Sequence, residues 1–234
     1  MTTLPAPSPR GLWLLPLLAA ASGGCALAYE ILYLRLLTTL LGDLFYIHAA
    51  LLSTFLAGIG LGAVWAHRWR RLLPLCEALT GACALLLPLI VQGLYGQTFL
   101  AAITAQAGLS VLLTVLLLLP PSILIGVSLP LFSAWLKASC ASERSFQGIY
   151  GAYNLGALAG ILGIEFAGFR LLGLRGALAA VGAANLSSGL LLWRCLAPPP
   201  DLVQAPARSF PRHTLAALLL ASLVSAVRII WYGI

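Results

Sequence analysis

Residues 109–135 read LSVLLTVLLLLPPSILIGVSLPLFSAW, a stretch of 27 residues without a charged side chain. A helix needs about 20 consecutive apolar residues to cross the hydrocarbon core of a bilayer. The rest of the chain has the same character, because 61% of its 234 residues are hydrophobic and only 8% are charged. Soluble domains carry about 25% charged residues. The composition therefore predicts an integral membrane protein and argues against a nucleic-acid-binding protein.

The other apolar stretches predict six more spans, so we expect an all-α, polytopic bundle of seven transmembrane helices. The predicted spans are Gly11–Leu41, Phe45–Trp65, Leu72–Tyr95, Leu109–Trp135, Phe146–Gly168, Gly173–Trp193 and Thr214–Tyr232. The chain (1–234) is expected to be a single transmembrane domain. In it, 11–195 is a six-helix module, 196–212 is a proline-rich linker and 213–234 is an additional helix.

Basic residues between the predicted spans indicate the orientation. One side of the membrane receives Arg10, Arg68, Arg70, Arg71, Lys137, Arg144, Arg194, Arg208 and Arg212. The opposite side receives only Arg170 and Arg175. Loops rich in Lys and Arg stay in the cytoplasm. We therefore expect a cytoplasmic N-terminus.

Charged residues inside the predicted spans are the best candidates for a functional site, because each costs roughly 2.5–3.5 kcal/mol at a helix centre. The candidate residues of an intramembrane polar cluster are Tyr29, Glu30, Arg35, Asn154, Glu165 and Arg228. Its predicted centre is formed by Glu30, Tyr29 and Asn154. Asn154 has an alternative role as a hydrogen-bonding contact between helices.

Ordinary ion pairs compete with this interpretation of the charged residues. Arg35 is expected to extend towards Asp43 at the interface, and Glu165 towards Arg170. For Glu77, the default expectation is an interface salt bridge with the nearby arginines that follow the second span. A direct pair between Glu30 and Arg228 is a further hypothesis. It rests on a loose alignment of the first and last spans.

The cysteines and histidines do not indicate a metal site. Cys76 and Cys83 are seven residues apart in one span, which matches neither a zinc pattern nor a disulfide geometry. None of the three histidines lies four residues from another. We therefore expect no metal, no cofactor and no catalytic residues of a recognised pattern.

Four motifs occur in the order found in one known family. They are AYEILYLRLL at Ala28–Leu37, TFLAGIGLGA at Thr54–Ala63, LPPSILIGVSLPL at Leu119–Leu131 and GIYGAYNLGA at Gly148–Ala157. Together they resemble the membrane module attached to bacterial spermidine synthase-like (polyamine aminopropyltransferase-like) proteins. The resemblance covers most of residues 11–192 and implies a proline-broken fourth helix near Pro120. It also implies a location in the bacterial inner membrane.

The soluble catalytic domain of that family has no counterpart here. No stretch outside the predicted spans is long enough to form it, and no GxGxxG follows a strand pattern. The resemblance therefore extends to the membrane module alone and implies no aminopropyl transfer. An intramembrane enzyme is one further hypothesis, in addition to the two described next.

Two functional hypotheses follow. The first is a non-catalytic membrane subunit or anchor that assembles with other chains or with a second copy of itself. The second is a carrier for a small cationic metabolite such as a polyamine, because interrupted helices beside intramembrane charges are typical of transporters. The lipid bilayer is the expected environment in both cases.

Overall fold

The computed structural model describes residues 9–95, 97–140 and 145–195, which are helical and contain no strand. The main helices are α1 (Pro9–Leu41), α2 (Phe45–Trp65), α3 (Leu73–Leu94), α4 (Thr98–Thr104), α5 (Ala107–Cys140), α6 (Ser145–Gly163) and α7 (Phe169–Cys195). A 3-10 turn follows α2, and a π-helical turn (Ile164–Gly168) joins α6 to α7. The predicted linker and the last predicted span lie outside the described residues.

The described residues confirm the all-α class, and five of their helical stretches are long and apolar enough to cross a membrane. These stretches are Trp13–Leu41, Phe45–Arg68, Leu73–Leu94, Ala107–Ala138 and Phe146–Cys195. The predicted count of seven is therefore not reached in the part of the chain that the structure describes. Two of the predicted spans, the fifth and the sixth, fall within the last stretch.

The main helices pack in three pairs: α1 with α6, α2 with α5, and α3 with α7. In each pair, glycines bring the two backbones into contact. A Cβ atom added to Gly160 of α6 would meet the backbone of Gly24 in α1, and one added to Gly182 of α7 would lie 3.0 Å from the Gly81 carbonyl oxygen of α3. Small residues at a crossing allow this close approach between helices.

The 50-residue stretch Phe146–Cys195 changes direction within its length. As one straight helix it would be about 75 Å long, more than twice the roughly 30 Å of hydrocarbon in a bilayer. Gly173 has φ 63° and ψ −179°, a conformation that strongly favours glycine. The contacts of α6 run parallel to α1, whereas those of α7 run antiparallel to α3. The stretch is therefore two limbs that meet near Gly173.

The predicted break in the fourth span is wrong, because α5 continues through Pro120, Pro121 and Pro130. Hydroxyl groups in the same helix supply hydrogen bonds near the prolines. The Ser122 hydroxyl donates to the Leu118 carbonyl oxygen at 2.7 Å. A helix in lipid tolerates prolines when neighbouring helices, side-chain hydroxyls and local adjustments satisfy the freed backbone groups, and α5 packs closely against α2 in this region.

Candidate functional site

A layer of polar residues separates two apolar clusters in the middle of the bundle. One cluster contains Tyr29 and Leu32 of α1, and the other contains Leu15 of α1 and Trp135 of α5. Between them lie the fully or almost fully buried side chains of Ser22, Glu77, Thr80, Asn185 and Ser188. These residues come from α1, α3 and α7, so the layer exists only when the three helices are packed together.

Glu77 is the charged member of this layer, and none of its surface is exposed. The Ser22 hydroxyl of α1 donates to Glu77 Oε1 at 2.9 Å. The Asn185 amide of α7 donates from Nδ2 to Glu77 Oε2 at 3.2 Å. Ser128 of α5 lies beside the carboxyl group, and its hydroxyl donates to the Leu124 carbonyl oxygen of its own helix at 3.3 Å. Four helices therefore meet around one carboxyl group.

The expected interface salt bridge of Glu77 with the arginines after α2 is wrong. Over the described residues, the ion pairs are Arg35 with Glu165 and His48 with Asp43. Glu77 points instead into the bundle, where neutral donors contact it. An isolated ionised carboxylate is very costly in a medium of low dielectric constant. The site therefore has the chemistry to hold a proton or a small cation.

Two buried oxygen atoms have no hydrogen-bond partner within the described residues: Asn185 Oδ1 in this layer and the Tyr33 hydroxyl in the neighbouring apolar cluster. The Asn185 oxygen belongs to the amide that contacts Glu77. It offers either a second oxygen ligand for a cation or, after rotation of the amide, an acceptor for a carboxyl proton. The layer therefore has an acceptor that the protein itself leaves unused.

Tyr29, a predicted site residue, lies beside this layer. Its side chain is buried, and its hydroxyl donates to the Val181 carbonyl oxygen of α7 at 3.2 Å. Its ring stacks on that of Tyr33, with centroids 5.4 Å apart. Tyr29 therefore fixes α1 against α7 on one side of the carboxyl group.

Arg35 and Glu165 are two predicted site residues that the structure joins directly. The Arg35 guanidinium donates from Nη2 to both carboxylate oxygens of Glu165, at 2.9 and 3.0 Å. It also lies over the Phe169 ring, 3.8 Å from the centroid. The expected partners Asp43 and Arg170 are therefore wrong. Glu165 lies in the π-helical turn that follows α6, and α6 runs parallel to α1, an adjacency that the sequence pattern does not reveal.

Glu30 is separate from this pair and from the buried layer. It lines a half-open cavity of about 370 Å³, together with His48 and aliphatic residues of α1, α2 and α6. No hydrogen bond joins Glu30 to Tyr29 or Asn154 in the described part of the chain. Asn154 is exposed and donates to the Tyr150 carbonyl oxygen of its own helix. Arg228, and with it the proposed pair with Glu30, lies outside the described residues.

The buried position of Glu77 differs from the predicted interface position, although one feature of the sequence indicates it. Glu77, Thr80, Gly81 and Ala84 follow the spacing of one helix face, and all four are buried. A small and polar face within an apolar span indicates contact with other helices rather than with lipid. No group of three or more potential metal ligands occurs among the described His, Cys, Asp and Glu residues.

Comparison with known proteins does not assign the chain to a family. No protein-family model matches it, no curated protein is significantly similar to it, and no solved structure matches its fold.

Proposed function

We propose that this protein is a membrane carrier for a small cation and that Glu77 binds the transported cation or a coupled proton. The observation that carries this proposal is a fully buried carboxyl group with two neutral hydrogen-bond donors and no ion pair within the described residues. Intramembrane ionisable residues of this kind mark ion or proton pathways in many membrane proteins.

The chemistry of the site favours a single positive charge. One carboxylate balances one charge, and the Asn185 oxygen adds a neutral ligand. A polyamine carries several charges and would need more than one acidic group. We therefore favour a proton or a monovalent cation at Glu77, and a polyamine is the alternative that a transport assay tests directly.

Flux into proteoliposomes tests the proposal. The wild-type protein is compared with Glu77→Gln, which keeps the shape of the side chain but cannot be ionised. Proton flux, radiolabelled sodium uptake and labelled putrescine uptake are measured across imposed gradients. We expect the wild type to move at least one of these cations and Glu77→Gln to lose about 99% of that flux, a difference of about 2.7 kcal/mol.

Glu30→Gln is the matched control, because Glu30 is an intramembrane glutamate outside the buried layer. We expect this variant to keep its flux. Loss of flux in Glu30→Gln with normal flux in Glu77→Gln would place the site in the lateral cavity and contradict the proposal. Absence of any cation flux in the wild type would also contradict it.

The second candidate is the non-catalytic membrane subunit, which is supported by the resemblance to a module of larger proteins. It differs from the carrier in its dependence on other chains. Stoichiometric partner chains after purification in mild detergent would support the subunit. Cation flux by the purified chain alone would support the carrier.

The orientation with a cytoplasmic N-terminus is also a proposal. The loop between α2 and α3 contains Arg68, Arg70 and Arg71, and the end of α5 contains Lys137. The Trp135 indole donates to the Arg70 carbonyl oxygen at 2.7 Å, which puts both loops at the same end of the bundle. We propose that this end faces the cytoplasm, and labelling of a cysteine introduced at Arg71 from that side tests it.

A further inference from the structure

The first half of the bundle contacts the second through small residues at two helix crossings. At one crossing, Ala20 and Gly24 of α1 meet Gly156 and Gly160 of α6. Cβ atoms added to these glycines of α6 would lie on the backbone of α1. Helices α1 and α6 are therefore parallel, and their backbones are in contact near the middle of each helix.

At the other crossing, Ser122 and Gly126 of α5 meet Gly58 and Gly62 of α2. Adding 102 to the numbers of the two α1 residues gives the two α5 residues. Subtracting 98 from the numbers of the two α6 glycines gives the two α2 glycines. The contact between α5 and α2 is therefore equivalent to the contact between α1 and α6, with the first and second halves of the chain exchanged.

The third helix pair, α3 with α7, is symmetric in itself: exchanging the two halves of the bundle puts each helix in the place of the other. Gly81 of α3 and Gly182 of α7 contact each other, and their numbers differ by 101. Adding 101 to other buried positions of α3 gives buried positions of α7 in each of these cases: Cys76 and Ala177, Glu77 and Leu178, Thr80 and Val181, Ala84 and Asn185, Leu87 and Ser188, and Val91 and Leu192. This reciprocity is what a two-fold axis between Gly81 and Gly182 produces.

We infer that residues 13–95 and 107–195 are two inverted three-helix repeats, and that their exchange of conformations opens Glu77 alternately to the two ends of the bundle. Each repeat has three long helices, α1–α3 in the first and α5–α7 in the second. Because three is an odd number, the second repeat crosses the membrane in the opposite direction to the first. The alternating access rests on the proposed carrier function. Transporter folds built in this way bind their substrates near the midplane, at the repeat interface.

The two ends of the bundle are closed by contacts at equivalent places in the repeats. At one end, Arg35 of α1 pairs with Glu165 after α6. Adding 102 to the numbers of Tyr33 and Arg35 gives Trp135 and Lys137 at the opposite end of the bundle. There the Trp135 indole donates to the Arg70 carbonyl oxygen, which joins α5 to the segment after α2. Each repeat therefore supplies one closing contact, at opposite ends.

The carboxyl group occurs in only one of the two repeats, because Leu178 occupies the position equivalent to Glu77. A two-fold axis next to a single carboxyl group gives one binding site that both ends share. With both closing contacts formed, Glu77 is fully buried, so the structure corresponds to an occluded state.

Thiol labelling tests this inference without a transported substrate. Cys25 is buried close to Glu77 and serves as the reporter in a protein whose other four cysteines are replaced by alanine. A membrane-impermeant methanethiosulfonate reagent is applied to either side of oriented vesicles. We expect Glu165→Gln to raise the labelling rate about tenfold from the Arg35 end only, which corresponds to about 1.4 kcal/mol. We expect Trp135→Phe to do the same from the Arg70 end only.

Arg175→Gln is the control for the loss of a charge at the Arg35 end, since Arg175 is exposed in α7. In a double-cysteine variant, Arg35→Cys with Glu165→Cys, a bifunctional methanethiosulfonate cross-linker long enough to replace the two side chains should block labelling from that end until it is reduced. Unchanged rates in both single variants, or equal increases at both ends, would overturn the inference.

The carrier proposal and the repeat inference fail separately. Cation flux that requires Glu77, together with labelling that does not depend on the closing contacts, would keep the carrier and overturn the alternating access. Side-specific labelling with a fully active Glu77→Gln variant would keep the two repeats and overturn the role of Glu77.

Discussion

Glu77 and Glu165 are both carboxylates within membrane-spanning helices, but their surroundings differ. Glu165 pairs with an arginine at the end of the bundle, and its side chain keeps 38% of its surface exposed. Glu77 is fully buried and contacts only neutral donors. The difference shows that an ion pair accounts for the first carboxylate but not for the second. We expect this contrast to appear in the stability of the protein in detergent.

The largest effect is expected from truncating the two carboxylates. Glu77→Ala should lower the free energy of unfolding by about 3 kcal/mol, because it leaves a cavity and two unpaired donors. Glu165→Ala should lower it by about 1 kcal/mol or less, since its ion pair is partly exposed. Unfolding of both variants in mixed micelles measures the difference. Equal losses would contradict the contrast.

A smaller effect is expected from the donors around Glu77. Ser22→Ala should cost about 0.6 kcal/mol, the average for an interhelical hydrogen bond in a membrane protein. The cost should disappear in the Glu77→Ala background, because the acceptor is then absent. Ser133→Ala is the control, since that hydroxyl donates only to the Leu129 carbonyl oxygen of its own helix. An undiminished cost in the double variant would show that Ser22 acts through something other than Glu77.

Arg35→Lys tests the geometry of the exposed pair while preserving its charge. We expect a loss of about 0.5 kcal/mol, because lysine cannot stack its charged group on Phe169 as a planar guanidinium does. Thermal unfolding in one detergent at one ionic strength measures the loss. The same substitution at the exposed Arg175 should change the stability by less. Full stability of Arg35→Lys would show that only the charge matters.

Ionic strength is expected to produce the smallest effect, a few tenths of a kcal/mol at the exposed pair. Raising NaCl from about 0.1 to 1 M shortens the Debye length from about 10 to 3 Å. The stability difference between wild type and Glu165→Gln should therefore shrink in high salt. The difference between wild type and Glu77→Gln should stay constant when the added salt is choline chloride, because screening does not extend to a fully buried group and the choline ion is too large for the site. With NaCl, binding of sodium at Glu77 would instead increase the stability of the wild type.

The bounds of the long helices could be predicted from the sequence, because they depend on local composition. The second span was predicted at Phe45–Trp65, where α2 begins and ends. The third was predicted at Leu72–Tyr95, and α3 covers Leu73–Leu94. A long apolar run specifies a helix in lipid whatever its neighbours are. The short helix α4 was missed, because a seven-residue helix has no such signal.

The site could be predicted only in part, because it depends on which helices meet. Arg35 and Glu165 were candidates, but their pairing requires α1 and α6 to be adjacent. Glu77 was assigned to the interface from its distance along the chain to three arginines. The packing of α3 against α7 turns it into the bundle instead, and sequence spacing contains no information about that partner.

Arg35 is synthesised several seconds before Glu165, its partner in the ion pair. The two residues are 130 positions apart in the chain. At about 5–20 residues per second, translation reaches Glu165 roughly 7–26 s after Arg35. The first helix therefore spends seconds in the membrane before its charge has a partner, in contact with lipid headgroups or the insertion machinery. The yield of folded protein should thus depend on the rate of elongation between the two codons.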